Sequence, residues 1–241
     1  MATRADVFLV DHGFAASRSE AQAAIRAGTV SANGQRVLKP SQTLPDDAVI
    51  AYTKAHPYVS RGALKLLAAL DHFDLSPEGL ICLDVGASTG GFTEVLLERG
   101  AHRVYSVDVG HGQMRQKLLD DQRVVALEGT DARNLTVAQI PEPPQAIVAD
   151  VSFISLKLAL PAALSLAKNA WLVALVKPQF EAGKAAVGKG GIVKDEAVQN
   201  AAVQEVIKLL EKRHWTVLGS IDSPIEGGDG NREFLVAARQ A

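Results

Sequence analysis

Residues 80–92 read LICLDVGASTGGF, and this stretch limits the possible folds more than any other. Leu80 to Val85 is an unbroken apolar run apart from Asp84, the pattern of a fully buried strand. Gly86, Gly90 and Gly91 follow at once, and Phe92 to Arg99 then has helical apolar spacing closed by Gly100. Strand, glycine turn and helix open a doubly wound α/β unit, whose turn lets backbone come close to a nucleotide-like ligand. The same glycines would also serve a tight βα turn with no ligand at all.

The spacing Asp84-x-Gly86-x-x-x-Gly90-Gly91 is not the G-x-G-x-x-G of a dinucleotide fingerprint. The next apolar run, His102 to Val109, carries Asp108 near its carboxyl end, where a carboxylate can take both hydroxyls of a ribose. NAD and S-adenosylmethionine both need that acid, and the glycine spacing favours S-adenosylmethionine.

At 241 residues the chain has room for one ordinary domain and a small one. Its one cysteine, Cys82, lies inside the first strand of the larger domain and reads as a core residue. With no internal disulfide possible, a cytoplasmic setting fits. No apolar run approaches the roughly 18 residues of a membrane span, and no signal-peptide core opens the chain, so no stable membrane insertion is expected. A net charge of −2 gives no global pull towards nucleic acid, which leaves local basic patches to do any such binding. No His/Cys cluster with metal spacing is present, so no metal is expected.

Residues 1–56 read as a separate unit, with a linker at about 55–58. Thr3-Arg4-Ala5-Asp6 looks like a capping box with Asp for Glu, opening a helix that ends at Gly13. Ser17-Arg18-Ser19-Glu20 is a full capping-box pattern, and its helix ends at Gly28. Arg18, Gln22 and Arg26 fall on one polar stripe of that helix. Asn33-Gly34 between two extended runs marks a hairpin, with Arg36 and Lys39 beyond it. A charged stripe of this kind is commonly just a solvated face. Residues 3–50 nevertheless resemble an S4 RNA-binding domain, through Arg4, Asp6, Leu9, Ser17, Arg18, Ala21, Ile25, Gly28, Val30, Asn33 and Gly34 in the expected order. The resemblance implies that Arg4, Arg18, Arg26 and Arg36 dock on RNA phosphates.

From Tyr58 to Phe73 a helix is predicted, with Ala63, Leu66, Leu67 and Leu70 buried and Lys65 nearly opposite them. A helix over 114–120 and a strand over 123–127 precede Asp131. A strand over 146–151 carries Asp150, a helix follows over 156–168, and a strand over 171–176 delivers Lys177. The stretch 179–194, QFEAGKAAVGKGGIVK, reads as a mobile surface loop or as a basic lid carrying Lys184, Lys189 and Lys194 over a phosphate backbone. A helix over 195–212 and two strands, 215–221 and 233–238, close the chain as an antiparallel hairpin.

Alternating strands and helices predict a mostly parallel sheet with its ligand crevice at the carboxyl strand ends. Asp84, Asp108, Asp131, Asp150, Lys177 and Glu233 all fall at that edge, too many polar residues to ascribe to solubility. Here a second resemblance appears. SRGALKL, LDVGASTGGFTEVLL, VDVGHGQ, ADVSFISL, LVKPQFE, VGKGGIVKD and GNREFLV make residues 58–241 similar to FtsJ-type, Rossmann-like methyltransferases. With the S4-like unit, the whole chain resembles the TlyA, or hemolysin A, family of ribosomal RNA 2'-O-methyltransferases. Ala87-Ser88-Thr89 stands where FtsJ relatives carry Ala-Ala-Pro, which points to the TlyA branch.

The resemblance implies an α/β fold with a seven-stranded, mostly parallel sheet and a small α+β S4 domain before it. It implies a catalytic tetrad of Lys65, Asp150, Lys177 and Glu233. It also implies an S-adenosylmethionine site at Asp84, Gly86, Ser88, Gly90, Gly91 and Phe92, with Asp108 on the ribose and Asp131 on the adenine amine. Ribosomal RNA within a ribosomal subunit would be the partner, with Lys189 beside it. Lys177 would be the base: a second ammonium, a sulfonium and burial favour its neutral form, while Asp150 and Glu233 oppose that. Three rivals remain. A non-catalytic ribosome-assembly factor is disfavoured by the intact tetrad, a cytolysin by the lack of a basic amphipathic helix, and a dehydrogenase by the glycine spacing.

Overall fold

In the computed structural model the described residues are 3–183, 186–227 and 230–240. The chain divides into two compact units, one ending at Arg61 and the other starting at Gly62.

The first unit runs β1 (Thr3–Arg4), α1 (Ala5–Asp11), α2 (Arg18–Ala27), β2 (Val30–Ala32), β3 (Gln35–Arg36), β4 (Thr43–Leu44) and β5 (Ile50–Tyr52). β1 pairs with β4, while β3, β2 and β5 form a second small sheet. Phe8, Leu9, Ile25, Val30 and Val37 fill its core. Ser17 caps α2 by accepting from the Glu20 amide, and Gly28 ends it at φ +76°. Asn33 (φ 51°) and Gly34 (φ 77°) make the hairpin turn in the left-handed conformation that pair tolerates. The capping box expected at Thr3–Asp6 does not form, because the Asp6 carboxylate is taken by the side chains of Arg4 at the end of β1 and of Arg18 and Gln22 on α2.

The second unit runs α3 (Gly62–Phe73), β6 (Ile81–Val85), α4 (Gly91–Glu98), β7 (Arg103–Val107), α5 (Gln116–Leu119), β8 (Val124–Leu127), β9 (Ala146–Ala149), α6 (Leu156–Leu166), β10 (Trp171–Val176), α7 (Pro178–Glu181), α8 (Glu196–Glu211), β11 (Trp215–Asp222) and β12 (Phe234–Gln240). Seven strands form one sheet in the order β11-β12-β10-β9-β6-β7-β8. β12 runs antiparallel between β11 and β10, and the remaining pairs are parallel. β9 and β10 are buried along their whole length, which is why they read as continuous apolar runs without alternation. The main core packs Leu83, Ile147, Leu160, Leu172 and Val206 between sheet and helices.

Three expectations change. The helix predicted from Tyr58 starts only at Gly62, and the residues before it fold with the first unit. Lys65, expected nearly opposite the buried stripe, itself lies on the buried face with Leu66 and Ala69. The stretch 179–194 is not wholly a loop. Proline at the first helical position suits α7, and Lys189–Gly191 makes a 3-10 turn. Lys184 lies outside the described residues.

Candidate active site

Strand order sets out the polar residues along the carboxyl edge. From one side to the other come Glu233 before β12, Lys177 after β10, Asp150 after β9, the glycine turn after β6, Asp108 after β7 and Asp131 beyond β8. β10 and β12 pair Val176 with Phe234, so Lys177 and Glu233 leave the ladder side by side.

Two ion pairs stand there, the first buried on both sides and the second part-exposed at Asp150. Lys65 Nζ lies 2.5 Å from Glu233 Oε2, with residue exposures of 7% and 3%. Lys177 Nζ lies 2.6 Å from Asp150 Oδ1 and donates to Ser152 Oγ at 2.9 Å. The Lys177–Asp150 contact is a close charge pair without hydrogen-bond alignment, so the directed bond of the amine goes to Ser152. Lys65 and Glu233 hold each other in low-dielectric surroundings, since either one left alone would be a costly buried charge.

A cavity of about 400 Å³ opens beside them, lined among others by Gly86, Ser88, Asp108, Asp131, Asp150 and Phe153. Volume and mixed lining suit a small-molecule site. Asp108 is set by two backbone amides: Ser88 N donates to Oδ2 at 2.8 Å and Gly110 N to Oδ1 at 2.7 Å. Each oxygen keeps a free lone pair for a further donor. Gly86 has φ +88°, and a Cβ there would meet the Asp150 carbonyl oxygen at 2.5 Å. Only glycine fits this close approach of two strand ends. Asp131 caps a short 3-10 turn through the Arg133 amide, and its hydrogen bond with the Arg133 guanidinium holds its carboxyl below the usual range.

Four residues expected at the cofactor do not line this cavity: Asp84, Gly90, Gly91 and Phe92. Strand alternation turns Asp84 inwards, where it is fully buried and accepts from Thr93 Oγ1 at 2.7 Å. Burial, with Asp150 and Asp108 nearby, pushes its carboxyl up to about 7, and its Oδ1 has no hydrogen-bond partner among the described residues. Gly90 (φ +95°) caps α4, and Gly91 and Phe92 are its buried first residues. These four shape the turn from behind.

The sequence did not single out Ser152 or Phe153. Ser152 orients an amine, a role no spacing announces. Phe153 is 91% exposed at φ 64°, tilted against Phe180 with ring centroids 5.2 Å apart. A bare phenylalanine three residues past a candidate catalytic acid was the available signal.

In the first unit, Asp6 is fully buried and gathers Arg4 Nε at 3.0 Å, Arg18 Nη2 at 3.1 Å and Gln22 Nε2 at 2.8 Å. The structure therefore brings Arg4 and Arg18 together. Arg26 is exposed near the end of α2, and Arg36 lies over Gly28, where a Cβ would meet its guanidinium at 1.9 Å. Lys189 is exposed on the 3-10 turn of the second unit. Among the described residues no cluster of three or more His, Cys, Asp or Glu could hold a metal, and no helix is long and apolar enough to cross a membrane.

A largely parallel seven-stranded sheet ending in an antiparallel hairpin, with a glycine turn and a ribose-height acid at its carboxyl edge, defines a Rossmann-like methyltransferase. Residues 58–240 match the FtsJ-like methyltransferase model and residues 3–50 the S4 domain model, and the chain belongs to the FtsJ-like methyltransferase family with an S4 domain at its N-terminus. It is 44% identical over 239 residues to the 16S/23S rRNA (cytidine-2'-O)-methyltransferase TlyA of Mycobacterium tuberculosis, covering 98% of this chain and 89% of that protein. It is 40% identical to Hemolysin A of Brachyspira hyodysenteriae, over 96% of this chain and 98% of the relative. The solved structure of a Streptococcus thermophilus protein provisionally named a hemolysin matches with TM-score 0.79 at 40% identity, covering 100% of this chain and 89% of that one.

Proposed function

We propose that this chain transfers a methyl group from S-adenosylmethionine to a ribose 2'-hydroxyl of ribosomal RNA, its first unit supplying part of the RNA affinity. The observation that carries this is the Lys177–Asp150–Ser152 group, placed where the cavity that holds Asp108 ends. The relatives named for ribosomal RNA 2'-O-methylation support the substrate class.

The residues present fit S-adenosylmethionine. Asp108 would take the ribose hydroxyls on its free lone pairs, and Asp131 the adenine amine. The Gly86 cradle would let the ligand lie against backbone, and the neighbouring carboxylates suit its positive charge. When bound, S-adenosylmethionine supplies an electrophilic methyl on a sulfonium centre.

The chain's own task is to place a 2'-oxygen in line with that methyl and to take its proton. Lys177 would accept the proton on Nζ, with Ser152 and Asp150 fixing the direction of its lone pair. Glu233 holds Lys65 at the same strand-end edge. Phe153, exposed at the cavity, offers a flat face on which the target base can stack once out of its helix.

The test is methyl transfer by the purified chain to isolated small and large ribosomal subunits, with isotope-labelled S-adenosylmethionine. The modified position is then read as resistance of one phosphodiester to alkaline cleavage. Label found on a base, or no label on either subunit, would end the proposal.

A further inference from the structure

Beyond the paired charges, one buried amide ties two distant segments together next to them. Asn231 is 1% exposed. Its Nδ2 donates to the Gly191 carbonyl at 3.0 Å, and its Oδ1 accepts from the Val193 amide at 3.0 Å. Its own carbonyl accepts from Gly227 N at 2.9 Å. From the far side Gln199 Nε2 donates to the Val193 carbonyl at 2.8 Å. A single side chain thus spends both ends of its amide on the glycine-rich segment 188–193, and its backbone fastens the turn that leads into β12. Two residues on, Glu233 holds Lys65. The turn also passes close to that carboxylate, since a Cβ at Gly227 would lie 2.6 Å from Glu233 Oε1.

None of these contacts reaches the cavity lining. A buried amide with donor and acceptor both satisfied across some 40 residues of chain is a specific fastening, because losing either bond strands a buried polar group.

We propose that Asn231 is a positioning residue for methyl transfer. It clamps segment 188–193 to the Gly227–Glu233 turn and so fixes Glu233 against Lys65. This rests on the reading of the four charged residues as the transfer machinery. Asn231→Asp tests it, because the carboxylate keeps the bond from Val193 N but turns the bond to the Gly191 carbonyl into a repulsion. The full chain is assayed for labelled methyl transfer to ribosomal subunits, for S-adenosylmethionine affinity, and for tryptic cleavage after the exposed Lys189 without any substrate.

The expected result is a kcat lower by about a hundred-fold, the loss a displacement near 1 Å can cause. Affinity for S-adenosylmethionine stays unchanged, and cleavage at Lys189 becomes faster. Gly227→Ala serves where Asn231→Asp fails to fold: it keeps the clamp, pushes the Glu233 carboxylate, and should lower kcat with cleavage unchanged. Faster cleavage with full kcat in Asn231→Asp, or full kcat in Gly227→Ala, overturns the proposal. So does a kcat loss matched by an equal loss of S-adenosylmethionine affinity. A parent chain that methylates neither subunit defeats the wider reading instead, and unchanged cleavage in Asn231→Asp then still defeats the clamp by itself.

Discussion

Lys65 Nζ and Glu233 Oε2 meet at 2.5 Å although 168 residues separate them along the chain. One comes from the first helix of the second unit and the other from the start of the last strand, so their pairing reports that the whole sheet has closed. A buried pair of this kind loses about 3–5 kcal/mol when one member is removed, since the other is left charged and alone. Lys65→Met and Glu233→Gln are each expected to lower the urea midpoint clearly. The double replacement should recover part of the loss, and strictly additive losses would show that the pair does not interact as described.

Lys177 should separate chemistry from binding. It touches Asp150 and Ser152 but is absent from the cavity lining. Lys177→Met is expected to reduce transfer by about 10²–10⁴-fold, the range for loss of a general base. S-adenosylmethionine affinity by calorimetry should stay within a factor of a few. Transfer at the parent rate would remove Lys177 from the mechanism.

The edge residues were legible because topology alone collects them. Once 80–92 reads as strand, glycine turn and helix, every later apolar run must deliver its last residue to the same rim, and Asp108, Asp150 and Lys177 follow. Lys65 was legible only through the resemblance. Its helical position suited a solvated lysine and one facing a cleft alike, and nothing local to α3 announces that a carboxylate just before the last strand covers it. Asp84 shows the opposite failure. Its place in the motif suggested ligand contact, whereas strand alternation sends it beneath the turn to Thr93. Asn231 stayed invisible because its partners, Gly191 and Val193, are backbone groups, and a sequence pattern carries no record of which amide meets which carbonyl.

Asp108 should govern the cofactor rather than the transfer step. Its oxygens already receive the Ser88 and Gly110 amides, so the ribose would complete a charged acceptor site. A hydrogen bond to a charged group contributes about 1.5–3 kcal/mol. Asp108→Ala is therefore expected to weaken S-adenosylmethionine binding by roughly 10- to 100-fold. Rates at saturating cofactor should fall far less, and an unchanged dissociation constant would free the ribose of this residue.

Arg4 and Arg18 converge on Asp6, which pre-sets two guanidinium groups for an anion. Arg18→Ala is expected to weaken binding to ribosomal RNA and to flatten the plot of log affinity against log salt by about 0.7–0.9 for each phosphate that the arginine no longer neutralises. Fluorescence titrations at several salt concentrations measure this. An unchanged slope would place the phosphate-binding cations elsewhere.

Asp84 predicts a pH dependence of stability whose sign follows from its surroundings. Burial, with Asp150 and Asp108 adding repulsion, raises its carboxyl from 3.8 to about 7, although the Thr93 bond opposes the rise. The unfolded chain releases this proton near its ordinary value, while the folded chain keeps it to about 7. Between the two the native state holds more protons, so this group's contribution to stability is complete below the unfolded value. It declines as pH rises towards about 7 and stays low above that. Asn at this position has no such proton, and its carbonyl oxygen can still accept from Thr93. Urea midpoints at about pH 5 and about pH 8, on either side of the folded value, should therefore differ less in Asp84→Asn than in the parent chain, with the variant gaining relative stability at the higher pH. Equal differences in the two chains would mean that Asp84 is already ionised at the lower pH in the folded protein, and that the unpartnered Oδ1 beneath the glycine turn is stabilised as a charge.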